Sequence, residues 1–91
     1  MIPDTKLILK PGKVLVKELG TPEGWNLKLF IVEDVAKNVN NFKKDFPVVI
    51  GDEVIVSQYG YYFHIKDGNT KFYIIDAGQI LGVFKPIKNK L

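Results

Sequence analysis

One histidine (His64), one serine (Ser57) and an adjacent acid pair (Asp52-Glu53) are the residues of this 91-residue chain best suited to act as base, nucleophile or proton donor. A serine, a histidine and a carboxylate can converge from distant positions to form a nucleophilic site. Ser57, however, lacks the glycine-flanked elbow of such nucleophiles and stands seven residues before His64. Asp52 and Glu53 point to opposite sides of an extended chain, which suits a turn and a surface better than a shared acid–base pair. A metal site needs several converging His, Cys or carboxylate ligands, and this chain has a single His and no Cys, so neither metal nor cofactor is expected. The missing cysteines also exclude thiol catalysis and a disulfide framework. Neither GxxxxGK[ST] nor GxGxxG occurs, so no glycine-rich phosphate cradle is present. The expectation is a protein that works by binding and is not an enzyme.

Charge and aromatic content narrow the kind of binding. All 13 basic residues are lysines; against ten acids they leave a net charge of +3. The excess lies at the ends, with four lysines and one acid in residues 1–17 and three lysines and no acid in 85–91. Residues 18–84 carry six lysines and nine acids. Nucleic-acid domains favour a basic stripe, often with arginine forks, and this pattern is dispersed and fork-free. Tyr59, Tyr61, Tyr62 and Phe63 near Lys66 have the composition of a base-stacking platform. The competing reading, in which alternate rings line a barrel and the others cover its rim, is preferred. No nucleic-acid partner is expected. The apolar runs, such as Leu29–Val32 and Tyr61–Phe63, fall far short of the roughly 20 residues of a spanning helix, so no membrane partner is expected either. The opening Met1-Ile2-Pro3-Asp4 lacks the layout of a signal peptide, and a cytoplasmic location is expected.

The elements that must carry these residues read as strands. Lys6–Lys10 is an apolar run closed by Pro11-Gly12, and Lys13–Lys17 follows, rich in branched residues. Gly20-Thr21-Pro22-Glu23-Gly24 breaks regular structure. Leu27–Val32 is a third strand; Glu33–Val39 is ambiguous, with Asp34 able to cap one helical turn. Asn38–Asp45 is a polar loop, and Phe46–Ile50 is a short apolar run turned by Gly51-Asp52 into Glu53–Ser57. Tyr59–Ile65 and Lys71–Ile75 flank Lys66-Asp67-Gly68-Asn69-Thr70, a strong hairpin signal, and Gln79–Phe84 is the last run. These signals predict an all-β fold: one domain over residues 1–91, a small, partly open β-barrel of about seven or eight short strands.

The order of these segments resembles the ten-kilodalton co-chaperonin (GroES-like) family. Leu9-Lys10-Pro11-Gly12-Lys13-Val14-Leu15-Val16-Lys17 is similar to the family's opening motif I-x-P-x-x-D-R-V-x-V-K, with Gly12-Lys13 standing where D-R is usual. Val49-Ile50-Gly51-Asp52-Glu53-Val54-Ile55-Val56 resembles its V-x-x-G-D-x-V-x segment, and Gln79-Ile80-Leu81-Gly82-Val83-Phe84 its closing D-I-L-A segment. The likeness covers roughly two-thirds of the chain. Family members carry a long flexible loop ending in a Gly-Gly-aliphatic-x-Leu tripod that docks on the chaperonin. Here only Gly20–Asn26 separates Leu19 from Leu27, and the roof hairpin is reduced to something within Asn38–Phe46.

The resemblance implies a GroES-like barrel, and a lid subunit that assists protein folding. Such subunits close a ring of seven with themselves and cap a GroEL-like chaperonin ring, which binds and hydrolyses the ATP. Gly24, Trp25 and Leu27 stand in for the docking tripod; alternatively, the Trp25 ring folds back over the barrel. Leu7, Ile8 and Leu9 on the first strand and Ile80, Leu81 and Val83 on the last are the implied subunit interface. Two other functions are weighed: a barrel of this type that has lost chaperonin binding and serves as an assembly or scaffold module, and a small barrel binding single-stranded nucleic acid.

Overall fold

A computed structural model describes residues 6–37, 47–57 and 64–85, with the backbone alone for His64. The described chain is all-β, with a single 3-10 turn at Ala77–Gln79. Its strands are β1 (Lys13–Gly20), β2 (Leu29–Val35), β3 (Glu53–Val56), β4 (His64–Asp67), β5 (Thr70–Asp76) and β6 (Ile80–Phe84). They form one six-stranded antiparallel sheet in the order β4-β5-β1-β2-β3-β6.

Alternation along the strands sends one set of side chains inward. Val14 and Val16 of β1, Phe30 and Val32 of β2, Val54 and Val56 of β3, and Tyr73 and Ile75 of β5 meet in one buried cluster with Ala77 and Ile80. Neighbouring strands lie about 4.8 Å apart, so a flat sheet could not bring side chains of five strands into one cluster. The sheet therefore curls. Three extra residues assist the bend: Glu33 in β2, Leu19 in β1 and Leu81 in β6 each lack a register partner where the ladder shifts. Phe30 and Tyr73 close the centre edge to face, with ring centroids 5.6 Å apart at 82°.

The turns follow from glycine and proline. The Lys13 N–H donates to the Lys10 carbonyl (3.1 Å) across Pro11-Gly12. Proline sits in the first central position and Gly12, at φ +82°, in the second, the requirement of a type II turn. The Asp67↔Thr70 pair leaves Gly68-Asn69 as a two-residue hairpin loop, one position later than an Asp-Gly turn.

Among the described residues the sheet has six strands, against the seven or eight expected of the whole chain, and no ladder joins β4 to β6. Two expectations need correction. Lys6–Lys10 belongs to no strand: Ile8 is 75% exposed, and no neighbouring strand supplies a ladder among the described residues. Within Phe46–Ile50, residues 47–50 are loop and turn, and only Val48 enters the core. The ambiguous stretch after Val32 resolves as strand to Val35, because Asp34 and Val35 pair with Leu15 and Val14. The polar loop 38–45 and the aromatic group Tyr59, Tyr61, Tyr62 and Phe63 lie outside the described residues.

Candidate functional site

The connection from β1 to β2 presents the residues of interest. Its base is fixed by Glu18, near the end of β1. The Glu18 carboxylate accepts the Tyr73 hydroxyl (2.9 Å) and the Lys28 ammonium (3.3 Å). Lys28 immediately precedes β2, so this ion pair ties the two ends of the loop together. Burial pushes the Glu18 carboxyl up, but the hydrogen bonds from Tyr73 and Lys28 and the charges of Lys28 and Lys71 outweigh it and hold the group below its ordinary value.

Between these anchors the Trp25 N–H donates to the Pro22 carbonyl (3.0 Å), closing a turn through Glu23 and Gly24. Gly24 has φ +84°, a left-handed conformation that a side chain would disfavour. The turn places Trp25 half-exposed, and Leu27, two residues on, is partly buried. The indole lies against Phe84 of β6, with centroids 5.6 Å apart and planes tilted by 36°. Of the two readings left open for Trp25, the structure displays the ring seated on the sheet while almost half of it remains accessible.

Phe84 is the residue sequence reasoning missed. It pairs with exposed Glu53, next to the core-facing Val54–Val83 pair, and so lies on the outer face. Beside it an open depression of about 520 Å³ is lined by Ile50, Gly51, Asp52, Glu53 and Lys85. The signal available in the sequence was the phase of alternation in the last strand, which Leu81 interrupts.

Gly51-Asp52 is a structural corner. Gly51 (φ +95°) donates its N–H to the Val32 carbonyl, and the Asp52 carbonyl accepts the Val32 N–H, both at 2.8 Å. The Asp52 side chain accepts the Val49 N–H at 3.0 Å and pairs with Lys85 at 2.9 Å. These bonds stitch the corner to β2 and to the end of β6. They account for the glycine–aspartate pair without invoking proton transfer.

The implied interface residues fall on different sides of the packing. Leu7 and Ile8 are exposed and Leu9 is partly buried. Leu81 is 68% exposed, whereas Ile80 is buried in the core and Val83 packs against it. Ile80 and Val83 thus offer the edge of β6 as backbone, with Leu81 and Phe84 as its outward side chains. Lysine charge at the chain ends is partly balanced: Lys13 pairs with Asp76, Lys17 with Glu33 (3.4 Å) and Lys85 with Asp52.

The residues weighed for catalysis sit at the ends of two different strands. Ser57 follows β3 and His64 opens β4, and the sheet order sets β5, β1 and β2 between those strands. Among the described residues no cluster of three or more His, Cys, Asp or Glu side chains is placed to hold a metal ion. No helix among them is long and apolar enough to cross a membrane. No family model matches the chain, and no curated protein matches it.

Proposed function

We propose that this chain is a co-chaperonin-like lid subunit. It would assemble with copies of itself into a ring and cap a chaperonin through the Trp25 loop. The observation that carries the reading is the loop's construction: a short connection, tied at its base by Glu18 and Lys28, that holds an apolar ring at the surface. Aromatic side chains that fill a partner's pocket commonly dominate binding. Each such loop binds weakly alone, and a ring of them gains through effective concentration. The edge of β6, which carries no ladder among the described residues, and the exposed Leu7-Ile8 segment suit pairing between neighbouring copies, because a strand edge is a template for another strand. ATP would be bound and hydrolysed by the chaperonin, and the lid subunit would act in the cytoplasm without a cofactor.

A second reading is favoured by the Trp25–Phe84 contact itself. A ring held on the sheet suits a GroES-like module that assembles without docking on a chaperonin. Both readings require self-association. Sedimentation equilibrium across a concentration series tests that requirement. A closed ring near seven copies is expected, and Leu81→Lys at the β6 edge should shift it toward monomer. A strictly monomeric wild-type chain at high concentration would overturn both.

A further inference from the structure

Trp25 and Phe84 are far apart in the chain, one between β1 and β2 and the other in β6, yet they meet on the outer face of the sheet. The contact joins the proposed docking loop to the edge strand and covers part of the ring that a partner would take up. We propose that Trp25–Phe84 is a latch: in the free chain it stores the loop's apolar anchor on β6, and a partner must displace Trp25 from Phe84 in order to bind it. This deepens the lid reading and rests on it only for the identity of the partner.

The geometry supports a contact that holds and also opens. The rings are within normal aromatic contact, so the seated state is favoured. Both rings are 44% exposed, and neither belongs to the buried cluster, so releasing one opens no cavity in the core. The Gly24 turn and the Glu18–Lys28 tie lie on the loop side of the contact and can persist when the indole swings away. A partner that binds only the released state meets an apparent affinity reduced by the released fraction. An aromatic pair of this kind corresponds to about a two- to tenfold bias in that equilibrium.

Trp25 is the sole tryptophan, so its emission reports the latch directly in the full chain. Acrylamide quenching is measured for the wild type, Phe84→Ala, Phe84→Leu and, as a control away from the contact, Ile65→Ala. Phe84→Ala should raise quenching and red-shift the emission, Phe84→Leu should do so less, and Ile65→Ala should leave both as in the wild type. Equal quenching in wild type and Phe84→Ala overturns the latch. Binding to a chaperonin ring with nucleotide is then compared. Phe84→Ala should bind about two- to tenfold more tightly per loop. Equal or weaker binding by that variant refutes the latch's role in docking. If neither protein binds, the lid reading falls, and the quenching comparison alone decides whether Trp25 is stored on Phe84.

Discussion

Replacing Asp52 by alanine tests how the corner before β3 is held. The side chain is about 10% exposed and serves two partners at once, the Val49 N–H at 3.0 Å and the Lys85 ammonium at 2.9 Å. A hydrogen bond to a charged acceptor in a partly buried site contributes about 1.5–3 kcal/mol. Lys85 is more than half exposed, so its ion pair adds only about 0–1 kcal/mol. Asp52→Ala should therefore cost about 2–3 kcal/mol, and in a chain of this size each kcal/mol lowers Tm by about 4–8 °C. Asp52→Asn retains an acceptor for Val49 and loses the charge, so it should cost about 1 kcal/mol. Lys85→Met removes only the exposed ion pair and should cost less than either. Urea unfolding followed by far-UV circular dichroism measures the series. Equal costs for Asp52→Ala and Lys85→Met would refute the reasoning, because the corner would then depend on the ion pair and not on the buried acceptor.

Two further substitutions probe the loop base and the core. The Glu18 carboxyl is held below its ordinary value of 4.5, so the stability it confers is fully present above that value and is lost as pH falls through the lower folded value. Glu18→Gln should flatten the acid side of the urea-midpoint profile, and an unchanged acid limb would remove Glu18 as its source. Phe30 is fully buried and meets Tyr73 edge to face, so Phe30→Ala should cost about 3–5 kcal/mol. A loss below about 1 kcal/mol in equilibrium unfolding would show that the sheet does not close around this ring.

The parts of the fold legible in sequence were those where local rules and tertiary packing agree. Lys13–Lys17 alternates branched side chains after a Pro-Gly turn, and it forms the strand at the centre of the core. The Lys66–Thr70 segment makes its hairpin because Gly68 accepts a positive φ. Elsewhere, apolar composition was a poor guide to pairing. Phe46–Ile50 looked like a strand, but residues 47–50 are loop and turn leading into Gly51 and Asp52, and Val49 and Ile50 stay exposed. Glu33-Asp34-Val35 looked polar and ambiguous, yet it extends β2 because Asp34 and Val35 pair with Leu15 and Val14 of β1. Lys6–Lys10 has a strand's composition but no partner strand among the described residues.

The site was half legible. Gly24 and Trp25 stood out only through the family resemblance, as stand-ins for its docking tripod. What holds them did not stand out. Glu18 reads in sequence as a surface acid, yet its side chain is 20% exposed and bonds two residues from other elements. Phe84 reads as one more strand hydrophobe, and only the register of β6 on β3 turns it outward. Asp52 was correctly expected at a turn, but its burial and its tie to Lys85 depend on the sheet bringing the end of β6 beside the corner. Contacts between residues so distant in the chain leave no local periodicity to read.

Retention of the full chain on an immobilised chaperonin ring, with and without ATP, tests the central claim most directly. Capture should depend on nucleotide and be abolished by Trp25→Ala, with the sheet's circular dichroism unchanged. No capture of the wild type in either condition, or equal capture of wild type and Trp25→Ala, would contradict it.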